Sequence, residues 1–131
     1  MNVNFQLKEG YSSVVSNNRG HEVTLDLPKE ANGTDKGAKA FELLAMSLAG
    51  CIGTIFKMVA VKMRLDVQDI RVELETEEAD TITNVSYRFY IKSDSPVEKI
   101  KKCLEHTEAN CPVGILFAKA GVKFQHELIM L

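Results

Sequence analysis

The order of hydrophobic patterns along the chain points to an α+β domain. Alternating segments come first, a long and wholly apolar helical segment follows, and two further alternating segments precede two helices and a closing strand. The 131 residues suit one domain, 1–131, with 45% apolar and 26% charged residues.

The first thirty residues read as short strands with polar turns. In His21-Glu22-Val23-Thr24-Leu25-Asp26-Leu27 the apolar residues alternate, and Asn17-Asn18-Arg19-Gly20 before them is turn chemistry that joins a hairpin. Pro28 to Gly37 is a loop by its glycines, proline and polar residues. From Ala40 to Met63 the chain is helical in type and apolar on nearly every side, which predicts a helix buried all round. Gly50 and Gly53 flank Cys51 within it. Each costs roughly 1 kcal/mol of helix stability relative to Ala, so either tight helix packing or the close approach of a substrate or backbone is expected there.

Ile70–Glu75 and Val85–Ile91 alternate cleanly and predict two antiparallel strands joined by a turn over Glu77–Thr83. Asp94-Ser95-Pro96-Val97-Glu98 reads as a helix start, with Ser95 as cap and Glu98 completing a capping box. Val97, Ile100, Leu104 and Thr107 would form its buried face. A short helix over Pro112–Lys119, stopped at Gly121, leads to an alternating strand from Val122 to Leu128.

Net charge is −2 with acids and bases interspersed, and no long basic run is present. Nucleic acid and anionic membranes are therefore not the expected partners. Met1 to Gly10 lacks a basic region followed by an apolar stretch, so no secretory signal is expected. The uncharged run Leu43–Phe56 is shorter than the roughly 20 residues of a membrane span. A cytoplasmic location follows as the expectation, with three cysteines reduced at rest, so that any disulfide would be transient.

Two of the cysteines stand in unusual settings. Cys51 lies in the apolar run Phe41-Glu42-Leu43-Leu44-Ala45-Met46-Ser47-Leu48-Ala49-Gly50-Cys51, where a thiol is inert unless a cation supports its thiolate. Cys111 precedes Pro112 at a helix start, where free N–H groups and the helix dipole favour a thiolate. Taken singly, Cys51 reads as a small core hydrophobe, and Cys111 as either a reactive thiol or a plain helix cap. Cys103 reads as structural, and Cys103, His106 and Cys111 match none of the usual zinc spacings. His126 alternates with apolar strand positions, as a core histidine would, and His21 and His106 need no functional role.

Together these residues resemble the OsmC/Ohr family. The Phe41–Cys51 stretch is similar to the family's aromatic-Glu-Leu-Leu helix leading to a reactive cysteine, and Cys111-Pro112-Val113 to its second-cysteine motif. The order of elements fits over essentially the whole chain. The resemblance implies an OsmC-like fold, with antiparallel sheets around a long buried helix and an intertwined homodimer whose active sites lie at the subunit interface. It also implies a cysteine-based hydroperoxide reductase without cofactor or metal. Cys51 would attack an organic hydroperoxide to give a sulfenic acid, Cys111 would condense with it to a disulfide, and an external dithiol would restore both. Arg19 is the one arginine placed to match the family's thiolate-stabilising arginine, and Glu42 its possible carboxylate partner. The best-known peroxidase branch carries that Glu one position earlier, where Phe41 stands, after a proline where Ala40 stands. Nine helical residues also turn Glu42 to the side opposite Cys51, so a role at the helix start is equally open. These departures place the chain in the wider OsmC-like group. Apolar surroundings for Cys51 favour a fatty or aromatic peroxide. Two other functions fit the same residues: a redox sensor, and a hydrophobic-ligand-binding protein without turnover.

Overall fold

The computed structural model describes residues 1–131 and contains six strands and three α-helices, with a single 3₁₀ turn at Lys29–Ala31. The chain divides into two compact units, Met1–Leu44 and Ala45–Leu131, the boundary falling within one helix.

The N-terminal unit holds an antiparallel sheet of β1 (Asn4–Glu9), β2 (Ser12–Ser16) and β3 (Glu22–Leu25), with β2 in the middle. The turn expected at Asn17–Gly20 is present. Asn17 N–H donates to His21 O at 3.2 Å, and the tight reversal places Asn18 and Gly20 at φ of 59° and 87°. β1 is exposed along its length, Phe5 and Leu7 included.

Helix α1 (Ala40–Lys62) occupies the span read from the sequence. Its first turn belongs to the N-terminal unit. There Lys39 N–H donates to Glu42 Oε1 at 3.0 Å, so the third helical residue satisfies a donor left open at the helix start.

The expectation of burial all round does not hold within one chain. Only Leu48, Ile52, Phe56 and Ala60, spaced by four, are buried, while Met46 and Val61 keep 57% and 62% of their surface. Apart from the adjoining residues and backbone of α1 itself, no atom of the chain lies within 4 Å of a side chain built at Gly50, and at Gly53 the nearest is Val72 Cγ2 at 3.9 Å. Tight packing inside the subunit therefore does not explain these glycines. Over its full 23 residues α1 is also long and apolar enough to cross a membrane, a test that the shorter uncharged run failed.

In the C-terminal unit, β4 (Val67–Glu78) and β5 (Ile82–Ser93) form the expected antiparallel pair, longer than the alternation suggested. β6 (Lys123–Met130) pairs with β5 in parallel, because the connection runs through α2 (Val97–Asn110) and α3 (Pro112–Lys119) rather than a hairpin. Val85, Tyr87, Phe89 and Ile91 present the buried face of β5, and Phe56 of α1 meets Phe89 at 4.8 Å between ring centroids. The opposite face is charged. Arg88 reaches Glu73, Glu75 and Glu127 at 3.6–3.9 Å, and Arg71 lies over the Tyr90 ring.

Two local expectations at α2 change. Ser95 does not cap the helix; its Oγ accepts from Asp66 N–H at 2.9 Å and ties the strand entry instead, and Pro96 takes the cap position without a side-chain bond. Cys103 replaces Val97 on the buried face, since Val97, at the first position of the helix, is exposed.

Candidate functional site

The site is built where α1, the α2–α3 junction and the β5–β6 pair meet, all within the C-terminal unit. Leu48 and Ile52 anchor the middle of α1 on its buried stripe and hold Cys51, half-buried, beside them. Cys111 ends α2 and caps α3. Its extended backbone, φ −74° and ψ 108°, breaks one helix and starts the next, with Pro112 in the first position of α3. Gly114 N–H donates to Cys111 Sγ at 3.4 Å. The Cys111 thiol donates to Cys51 Sγ at 3.1 Å. A disulfide bond is about 2.05 Å long, so an approach of about 1 Å would join the two sulfurs.

Burial decides the state of Cys111. The helix start was expected to favour its thiolate, and the Gly114 and Val113 N–H groups do pull in that direction. Burial outweighs them, followed by the bond to Cys51, and the thiol is pushed up to about 11. Cys111 is therefore a neutral thiol at pH 7 and the donor of the pair. Cys51, expected to be the buried cysteine, is the more open of the two, since Cys111 is only 1% exposed.

Cys103 is also pushed up to about 11 by burial, and its thiol donates to Phe56 O at 3.7 Å, away from the pair. No group of three or more His, Cys, Asp or Glu side chains is arranged to hold a metal ion.

Of the other residues singled out from the sequence, Arg19 and Glu42 belong to the N-terminal unit. Arg19 is exposed in the β2–β3 turn, where its N–H donates to Asn17 Oδ1 at 2.9 Å. Glu42 makes the helix-start bond described above. Within the C-terminal unit the structure brings the two thiols, Cys51 and Cys111, into contact.

A cavity of about 330 Å³ opens on the Cys111 side of the pair. Ile52, Ile115, Ala118 and Phe124 form its apolar wall, and Tyr87, Glu108 and His126 its polar end. The parallel register sets Tyr87 beside His126, with ring centroids 5.6 Å apart, and the last turn of α2 brings Glu108 over them. Glu108 Oε1 accepts from the Tyr87 hydroxyl and lies 2.7 Å from His126 Nδ1. Burial, then the bond to Glu108, raises the Tyr87 hydroxyl well above its ordinary value, so it stays a donor.

Sequence reading missed this cluster. His126 is exposed, with Nδ1 2.7 Å from Glu108 Oε1, rather than a core histidine. A usable signal was Tyr87 on the buried parity of an alternating strand, since a buried tyrosine hydroxyl requires a partner.

Residues 33–127 match the family described as OsmC-like protein. No curated protein matches the chain. Among solved structures, an OsmC-like protein from Mycoplasma pneumoniae is similar at a TM-score of 0.87 and 16% identity, over 99% of this chain and 96% of that one. The organic hydroperoxide resistance protein OsmC of Legionella pneumophila is similar at 0.71 and 13%, over 98% and 97%. An organic hydroperoxide resistance protein from Elizabethkingia anophelis gives 0.71 and 16%, over 100% and 97%. These identities speak for the fold, while the family match covers most of the chain, both cysteine motifs included: the protein belongs to the OsmC-like family.

Proposed function

We propose that this protein is a thiol peroxidase that reduces organic hydroperoxides, working as a homodimer with an external dithiol as reductant. The observation that carries the reading is the 3.1 Å contact between Cys111 Sγ and Cys51 Sγ, two thiols sixty positions apart in sequence. Cys51, as thiolate, attacks the terminal peroxide oxygen. The O–O bond breaks, the alkoxide leaves as an alcohol after taking a proton, and Cys51 becomes a sulfenic acid. Cys111 then displaces that oxygen as water and forms the disulfide. The dithiol reopens it by exchange and is itself oxidised.

Membership of the family and the organic hydroperoxide resistance proteins among the structural neighbours support the substrate class. Arg19 enters as the cation that stabilises the Cys51 thiolate and Glu42 as its carboxylate partner, by the family pattern. The apolar cavity wall of Ile52, Ile115, Ala118 and Phe124 suits a fatty or aromatic organic group. The dimer is supported by the uncovered apolar residues of α1 and β1. A reducing cytoplasm would keep the resting pair as thiols.

Non-reducing peptide mass spectrometry after brief exposure to a near-stoichiometric organic hydroperoxide tests this. A fast Cys51–Cys111 linkage with Cys103 left free is expected. If Cys51 oxidises no faster than Cys103, the peroxidase reading falls.

A further inference from the structure

We propose that His126 is the base that takes the Cys111 proton when the disulfide closes, and that Glu108 positions it. The proposal rests on the two-thiol reading above and adds the proton path that reading lacks.

Disulfide closure requires Cys111 to lose its proton as its sulfur attacks. Burial keeps that thiol protonated at neutral pH, and its present partner, Cys51, is the atom under attack. A separate acceptor is needed, and the cavity Cys111 lines supplies one. Glu108 accepts at one oxygen from Tyr87 and faces His126 Nδ1 at 2.7 Å with the same oxygen. A carboxylate held on Nδ1 keeps the proton there and leaves Nε2 as the free acceptor, the division of labour of a nucleophile–histidine–carboxylate set. A cavity of about 330 Å³ with polar groups at one end has room for a water between Cys111 and the imidazole.

The Cys111 sulfur pair attacks the Cys51 sulfenic sulfur, the S–S bond forms and the S–O bond breaks. The Cys111 proton passes to His126 Nε2, which returns it to the departing hydroxide as water. Cys111 is oxidised and the sulfenic sulfur reduced, the hydroperoxide having been the oxidant.

The groups facing His126 on the cavity side are Glu108 from α2, Tyr87 from β5 and Cys111 from the helix junction. His126 also borders a cleft lined by Glu73, Glu75, Arg88 and Glu127.

The experiment separates the two chemical steps. Sulfenic acid formation at Cys51 is followed by trapping with a cyclic diketone, and closure by rapid quench and peptide mass spectrometry. His126→Asn and Glu108→Gln are expected to leave the first step unchanged and to slow closure by about 10²-fold. Added imidazole should restore closure in His126→Ala, a rescue that a structural role would not give. Closure at the wild-type rate in both variants overturns the proposal. So does equal slowing of both steps with a lowered melting temperature, which would mark a structural role. A wild-type chain that accumulates Cys51 sulfenic acid without any disulfide overturns the two-thiol reading itself, before a variant is made.

Discussion

Asp26 shows how one buried carboxylate can hold a loop. Just beyond β3, it accepts from Leu27 N–H at 2.7 Å, Thr34 Oγ1 at 2.6 Å, Lys36 N–H at 3.1 Å and Thr34 N–H at 3.3 Å. The Thr34 hydroxyl above all, with the backbone donors, outweighs desolvation and holds the carboxyl below its ordinary value. The loop closes tightly enough that a side chain at Gly33 would overlap the Leu27 carbonyl. Because the folded value lies below the unfolded one, the contribution is complete above the unfolded value of about 3.9 and is lost as pH falls through the folded value. Asp26→Asn should therefore be less stable than wild type at neutral pH, with the gap narrowing below about pH 4. Denaturant midpoints measured across that range check this. A gap constant with pH would show that the ionised carboxylate is not what matters.

At the scale of the element, the buried stripe of α1 carries the C-terminal unit. Phe56 is fully buried, stacks at a tilt on Phe89 and offers its carbonyl to Cys103. Phe56→Ala should cost about 3–5 kcal/mol in denaturant unfolding, by lost burial plus the cavity left behind. A loss no larger than that of an exposed surface residue would mean that the stripe is not the core. The elements themselves were legible because their signals are local. The apolar run of α1, the Cys111-Pro112 start of α3 and the alternation of β4 and β5 each sit in one short window. What escaped depends on distant partners. Ser95 looked like a cap because its neighbours fit a capping box, yet its hydroxyl is engaged by Asp66, 29 positions back. The thiol pair was legible only through the resemblance of two motifs taken together. The Tyr87–Glu108–His126 cluster was not, because it requires the parallel register of β5 and β6, which no short window contains. The joining of those strands through two helices allowed a parallel pair without fixing its register.

At the scale of the whole molecule, the apolar surface left uncovered is the argument for assembly. In the C-terminal unit α1 leaves Met46, Met58 and Val61 open, and Ala49, Gly50, Gly53 and Thr54 line an open groove beside them. In the N-terminal unit β1 leaves Phe5 and Leu7 open. Small residues beside large exposed ones suit the approach of another backbone, which would also account for two glycines that nothing inside the chain explains. A second copy of this chain is the occupant the proposed function requires. The protein should then sediment at twice its 14.6 kDa chain mass, and Met46→Glu with Val61→Glu should shift it towards the monomer by placing charge in an apolar contact. Both thiols come from one chain, so a folded monomeric variant should still close Cys51–Cys111 once Cys51 is oxidised. Analytical ultracentrifugation of wild type and variant, with circular dichroism to confirm folding, decides the matter. A wild type that sediments as a monomer, or a double variant that remains dimeric, would remove this face of α1 from the interface.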